Sequence, residues 1–430
     1  MAAVHHRAAR KWHGEHGMAE GNSGIGDVRA AAQALAPKIV SLRRAIHAEP
    51  ELGLHNPATR DKIRAALAHL PLEWAQGPST TGLVATLRGG AVPAGADRPC
   101  VLLRGDTDAL PMHEETGLEF ASTIPGAMHA CGHDTHVAML AGAVELLAAR
   151  ADSLAGDVRF MFQPGEEGHH GARFMIDDGL LGDPLPDAAF ALHIMPNSRH
   201  GLVAGRGGAL MASADQFEIV VEGRGGHASM PHDALDPVPV ACEIVSAIQA
   251  MVTRRFSVAD PVVATVARIE AGSAHNVIAD RARMIGTLRT LSPGNRTRLR
   301  EALETCATHV AAAHGLTAQV TLHEGFPVTM CDARAVALGE AVARDLAGPE
   351  AFVRLDQAIM AAEDFSYVLE QVPGAMFFLG VAHEGADWRH ACGIHSTRMV
   401  VDEAALPTGT ALLAGCALRY LSQGFAGLQV

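Results

Sequence analysis

The sequence predicts an α/β protein: a mainly parallel sheet flanked by helices, with a smaller α+β body inserted into it. Three observations carry that prediction. Short apolar runs alternate with stretches of helical periodicity. Three of those runs end in acidic or histidine residues, and between about residues 213 and 324 the order of elements becomes β-α-β-β-α-β. A chain of 430 residues exceeds what one ordinary core organises, so two domains are expected: residues 27–212 with 325–430, and an insert at 213–324. Hydrophobic residues make up 48% of the chain but aromatic ones only 4%, so the core must be built mostly from Ala, Val and Leu.

Taken in order, residues 1–26 read as a disordered extension, with Met18 as an alternative start. They hold His5, His6, His13 and His16 but no apolar stretch long enough for a signal peptide or a membrane span. From about Asp27 to His47, Ile39, Leu42 and Ile46 recur at helical spacing. CVLLRGDTDALP is a buried strand over Cys100–Leu103 that delivers Asp106 and Asp108, and HDTHVAMLAGAVELLAARAD follows as a helix. DVRFMFQPGEEG is a strand ending at Glu166 and Glu167, DAAFALHI a third ending at His193, and GAMFFLG a fourth. In open parallel sheets ligands bind at the carboxyl ends of strands. That is where these residues converge.

Within the insert, FEIVVEGRGGHAS, PVVATVARIEAG, ARMIGTLRTL and AQVTLHEG read as strands. DPVPVACEIVSAIQAMVTRR and RTRLREALETCATHVAAAHGL read as helices. GRGGAL and the segment from Glu324 to Pro327 are the crossing strands and expected hinges.

Composition excludes some functions. A net charge of −13 without a basic stripe argues against nucleic acid, and nothing suggests a membrane partner. The seven cysteines are scattered and odd in number, which reads as reduced thiols in a cytoplasmic protein.

The chemistry sits in a few short motifs. MHACGHDTH places Cys131 and His133 two residues apart, a thiol and an imidazole suited to zinc and also compatible with manganese, cobalt or nickel. His129 and His136 flank them as supporting groups. QPGEEGHHGA supplies Glu166 and Glu167, whose side chains diverge, so that one can bind metal while the other handles a proton. His193 in ALHIMP and His395 in ACGIHSTRMVVDE complete five soft-to-borderline ligands, a number that suits two cations about 3.5–4 Å apart. Glu363 is a candidate for support or for a helix start. Each motif alone has a structural explanation: a capping loop, an exposed acidic turn, a satisfied core histidine. In the insert, His227 and Asn276 can donate to a developing oxyanion, and Arg289 can clamp a carboxylate.

Seven stretches together resemble the metallopeptidase-like amidohydrolases that include hippurate hydrolases, bacterial N-acyl amino acid hydrolases and plant auxin-conjugate hydrolases. They are RRAIHAEPELG, LRGDTDALPM, MHACGHD, QPGEEGHHGA, ALHIMP, GRGGHASMPH and AEDFSYVLEQVPGAMFFLG, and they run in family order over nearly the whole chain. The resemblance implies a catalytic domain of zinc-exopeptidase type with an inserted lid. It implies two divalent metal ions on Cys131, His133, Glu167, His193 and His395, with Glu166 as general base and Asp108 in support. Asp106 stands where related two-zinc exopeptidases use a histidine ligand, and His227, Asn276 and Arg289 match positions that contact substrate. A homodimer formed through the lid is also implied.

Three departures concern substrate preference: Ala279 for a usual proline, Cys331 for a common asparagine, and Thr397 with Arg398 after His395, where proline is frequent. The expected reaction is metal-dependent hydrolysis of the amide bond of an N-acyl amino acid, a small-molecule substrate. A dipeptidase or carboxypeptidase, and a silent acyl-amino-acid binding protein, are the alternatives.

Overall fold

The computed structural model describes residues 25–426 and 428, apart from 94, 96 and 183. The extension expected over residues 1–26 lies outside them up to residue 24, and residues 25–26 already belong to the first helix. The chain forms two compact units. One comprises the chain up to Gly207 with Cys331–Arg354 and Val372–Val430; the other comprises Gly208–Met330 with Leu355–Gln371.

The first unit begins with α1 (Ile25–Ala34), α2 (Ala36–His47), α3 (Pro57–Leu67), β1 (Glu73–Ala75), β2 (Leu83–Leu87) and β3 (Cys100–Asp106). It continues through α4 (His133–Ala148), β4 (Asp157–Gln163), α5 (Gly171–Asp177), β5 (Ala188–Met195) and β6 (Val203–Gly205). The single helix read over residues 27–47 is two helices. Pro37, in the first turn of α2, has no N–H to continue the ladder from α1.

The second unit holds β7 (Gly208–Met211), β8 (Ala214–Glu222), β9 (Gly226–His227), α6 (Pro237–Arg255), β10 (Val262–Ala271) and β11 (Val277–Ile278). β12 (Arg281–Thr290), α7 (Pro293–Ala313) and β13 (Thr317–Phe326) follow, and β14 (Thr329–Cys331) pairs with β7. The remainder of the chain gives α8 (Ala333–Ala347), β15 (Phe352–Arg354), α9 (Ser366–Leu369), β16 (Gly374–Gly380) and α10 (Leu406–Gln423), with α9 belonging to the second unit.

The first unit is built on an eight-stranded sheet ordered β1-β2-β4-β3-β5-β16-β6-β15. Its centre, β4-β3-β5-β16, is parallel throughout, and antiparallel pairs occur at β1-β2, β2-β4 and β16-β6. β3 and β16 are buried at every position, as expected of parallel strands covered on both faces. The fold class read from the sequence is therefore what the chain adopts. Its apolar runs were legible because such strands need no alternation.

In the second unit an antiparallel sheet ordered β10-β12-β8-β13 is backed by α6 and α7. Phe217, Ile219 and Val221 alternate inward from β8 to meet Ile244 and Ile248 of α6 and Leu299 and Leu303 of α7. This is the predicted β-α-β-β-α-β order.

Phe377, in the middle of β16, is closely packed. Its ring lies 6.4 Å from Phe190 and 6.2 Å from Phe352, and a Cβ added at Gly339 of α8 would come within 2.1 Å of it. Truncation leaves a cavity that the neighbouring backbone cannot close. Phe377→Ala should therefore cost about 3–5 kcal/mol of stability, read as a lowered denaturant midpoint at unchanged slope.

Candidate metal centre

β3, β4 and β5 are neighbours, and their carboxyl ends bring Asp108, the Glu166–Glu167 pair and His193 together. The turn that starts α4 adds Cys131 and His133. Gly132 between them caps the helix at φ +85°, and a Cβ there would lie 2.3 Å from Ile194. Only glycine satisfies both conditions.

Asp108 organises this arrangement. Its carboxylate oxygens accept the backbone N–H groups of Glu166 and Glu167, each at 3.0 Å. Its main-chain carbonyl accepts from His133 Nδ1 at 2.8 Å. A carbonyl can only accept, so Nδ1 carries a proton and Nε2 is the nitrogen left facing the cluster. His193 is oriented the same way: Nδ1 donates to the Ile194 carbonyl at 2.7 Å, and Nε2 lies 3.3 Å from Cys131 Sγ. His395 Nε2 lies 3.3 Å from Glu167 Oε1.

The five residues read as metal ligands form two overlapping triads that share one sulfur, Cys131–His133–His193 and Cys131–Glu167–His395. The candidate ligand atoms within each lie within 4.8 Å of one another. Glu166, which is 6% exposed, stands beside them, with Oε2 3.9 Å from His133 Nε2.

The donor set fits divalent cations. Among the described residues, His133 Nε2 is buried without a hydrogen-bond partner. Burial works against a charged His133, yet Asp106 and Cys131 outweigh it and raise the ring well above its ordinary value. A cluster that recruits a proton in this way offers a place for positive charge. Burial pushes the Cys131 thiol up to about 12, and burial together with the neighbouring His136 ring holds His193 well below the usual imidazole range.

Supporting groups surround these ligands; His136 was expected among them, and Arg104 was not. His136 Nε2 accepts from the Ile194 N–H at 2.9 Å, so its Nδ1 donates to Asp106 Oδ1 at 2.6 Å. Arg104 donates to the other oxygen of Asp106 at 2.6 Å. Burial alone would raise the Asp106 carboxyl, but Arg104 and the two imidazoles hold it well below the usual range. Asp106 is thus engaged by Arg104 and His136.

On α2, Arg43 and His47 are four residues apart on one face, a spacing visible in the sequence. Both meet Asp134 Oδ2, at 2.6 and 2.8 Å, and His47 Nε2 meets Glu114 Oε1 at 3.1 Å. With a carboxylate on each nitrogen the imidazolium is favoured. Burial opposes that charge, but Asp134 and Glu114 raise His47 to about 9.

Other candidates have different places. Glu363 accepts from the Phe365 N–H at 2.9 Å, just ahead of α9. Cys331 is a core residue whose sulfur accepts from the Met376 N–H at 3.5 Å. The Ala279 turn is held by Asp280, which accepts from Gly225 at 2.8 Å through its side chain and from Gly223 at 2.7 Å through its carbonyl.

In the second unit His227 and Val277 are register partners on β9 and β11, and Ala228 N–H donates to the Asn276 carbonyl at 3.1 Å. His227 and Asn276 line one cavity of about 400 Å³. Arg289 stands on another sheet, half-buried on β12, and makes no ion pair among the described residues.

Comparison with known proteins agrees with this picture. Residues 102–419 match peptidase family M20/M25/M40, and the chain belongs to that family of hydrolases. It is 37% identical over 389 residues to the IAA-amino acid hydrolase ILR1-like 2 of Arabidopsis thaliana, covering 90% of this chain and 85% of that one. It is 36% identical over 394 residues to the N-acetylcysteine deacetylase of Bacillus subtilis, covering 91% and 99%. A crystal structure from Bacillus subtilis, described as a dinuclear metal binding peptidase from the M20 family, superposes with a TM-score of 0.76 at 33% identity. That match covers 91% of this chain and 99% of the other.

The His47 cluster predicts a pH effect on the chelator-treated protein. A group whose folded pKa is raised adds stability that is complete below its ordinary 6.5 and is lost as pH climbs through about 9. Thermal melts should therefore fall across that window, and His47→Gln should flatten the fall.

Proposed function

We propose that this chain hydrolyses the amide bond of N-acyl amino acids, hippurate-like substrates, releasing a carboxylic acid and a free amino acid. One observation carries the reading: two triads of ligand atoms share Cys131, with the Glu166 carboxylate beside them. The names of two relatives point the same way, one describing hydrolysis of an IAA–amino acid and the other deacetylation of N-acetylcysteine.

Two divalent ions, whether zinc, manganese, nickel or cobalt, would be held by Cys131, His133, Glu167, His193 and His395. Such ions polarise a carbonyl and acidify water. Glu166 would take the proton of the attacking water and return it to the leaving amine nitrogen, a transfer its fixed backbone favours. Asp108 would hold Glu166, Glu167 and His133 in register. His227 and Asn276 would donate to the substrate carbonyl, and Arg289 would pair with the free carboxylate.

Seven unpaired cysteines fit a cytoplasmic setting, and among the described residues no helix is long and apolar enough to cross a membrane. We also propose a homodimer through the second unit, where edge strand β10 exposes Val263 and Ile269.

The metal-loaded protein should release amine from N-benzoyl and N-acetyl amino acids and leave unblocked dipeptides intact; the opposite preference would establish the dipeptidase alternative. Glu166→Gln should lower kcat by about 10²–10⁴-fold while both ions stay bound, and wild-type turnover by that variant refutes the assignment. Arg289→Ala should raise KM roughly tenfold or more for substrates with a free carboxylate and leave their amides unaffected.

A further inference from the structure

The ligands of the two triads come from segments with very different support. Cys131 and His133 sit on the first turn of α4, pinned by Gly132 and Asp108. His395 lies in an irregular stretch, with φ +63° in the left-handed region and a side chain 52% exposed. A non-glycine residue there is strained and keeps its place only if its surroundings hold it.

Those surroundings can be traced. His395 N–H donates to the Ala130 carbonyl at 2.7 Å. Two residues on, Thr397 is clasped twice by Glu115: its carbonyl accepts the Glu115 N–H at 2.8 Å, and its hydroxyl donates to Glu115 Oε2 at 3.0 Å. The adjacent Glu114 accepts from His47 at 3.1 Å and from the Ser122 N–H at 2.7 Å. His47 and Arg43 both grip Asp134, the residue after His133. Arg43 also reaches Glu403 at 3.1 Å, beyond His395. Phe120, on the same segment as Glu114 and Glu115, lies under Arg43 at 4.7 Å and edge-on to His47 at 5.5 Å. The last turn of α2 therefore touches both ligand-bearing segments.

Arg43 and Asp134 are 1% and 0% exposed, and His47 is 0% exposed. Apolar side chains of similar volume would stabilise such a site at least as well, because desolvating charges is expensive. What the charged network adds is a defined geometry between two segments far apart in sequence.

We infer that Arg43 and His47, acting through Asp134, the Glu114–Glu115 pair and Glu403, are positioning residues that hold His395 to the Cys131–His133 turn and so complete the Cys131–Glu167–His395 triad. The inference rests on the two-ion reading above. Thr397 is the outermost link, and its hydroxyl makes the side-chain half of the clasp.

The test is metal binding by the full chain, measured as zinc stoichiometry after dialysis and as stepwise affinity against a competing chelator, with thermal melts of the metal-free protein alongside. Wild type should bind two ions. His47→Gln should weaken the second ion by about 10–100-fold and leave the first unchanged. Thr397→Val should weaken the second ion by about three- to tenfold with an unchanged metal-free melt, and Thr397→Ser should restore it. Wild-type affinities in Thr397→Val and His47→Gln overturn the inference, and so does equal weakening of both ions. A wild-type chain that binds no zinc instead removes the two-ion reading itself.

Discussion

Asp108 accepts three hydrogen bonds, and the geometry of the site follows from them. Its carboxylate takes two successive peptide N–H groups, which fixes the turn after β4 so that Glu166 and Glu167 leave it in different directions. Its main-chain carbonyl sets which nitrogen of His133 is left facing the cluster. One residue just beyond a strand thus connects that strand, the next strand's turn and the start of α4. The parallel order β4-β3-β5 makes this possible, because it delivers the three carboxyl ends side by side.

The cluster built there is costly without a cation. A thiol pushed up to about 12 by burial, an orphaned imidazole nitrogen and an aspartate held ionised by Arg104 lie within one buried neighbourhood. Buried polar atoms normally have partners, and these departures concentrate at one place. The rest of the first unit compensates with close apolar packing around β16 and α10.

Much of this was legible in the sequence. Buried parallel strands announce themselves as unbroken apolar runs, and the acids at their ends were read correctly as lying where such sheets gather ligands. The strands and helices of the insert were equally plain, because its strands alternate and its helices carry one apolar face, whereas Leu355–Gln371, read with the first domain, belongs to the second unit. The three-residue strands β1, β6 and β15 were missed because so short a run leaves no period to detect. The break at Leu35 was missed because helical spacing continues across it.

The Arg43–His47–Asp134 network stayed hidden for a different reason. Arginine and histidine on a helix look like a solvated face, and nothing local reveals that an aspartate and a glutamate from elsewhere will bury them. Arg104 was obscure for the same reason. Burial of charge depends on partners that one-dimensional pattern cannot place.

Gly132 has a consequence for the two ligands beside it. The position between the thiol and the imidazole admits no side chain, since both its left-handed backbone and the nearby Ile194 forbid one. Both constraints act at that position, whereas Gly117, Gly126 and Gly385 share the positive φ but meet nothing within 4 Å. The spacing between the thiol and the imidazole is therefore set by the backbone, before any ion is bound.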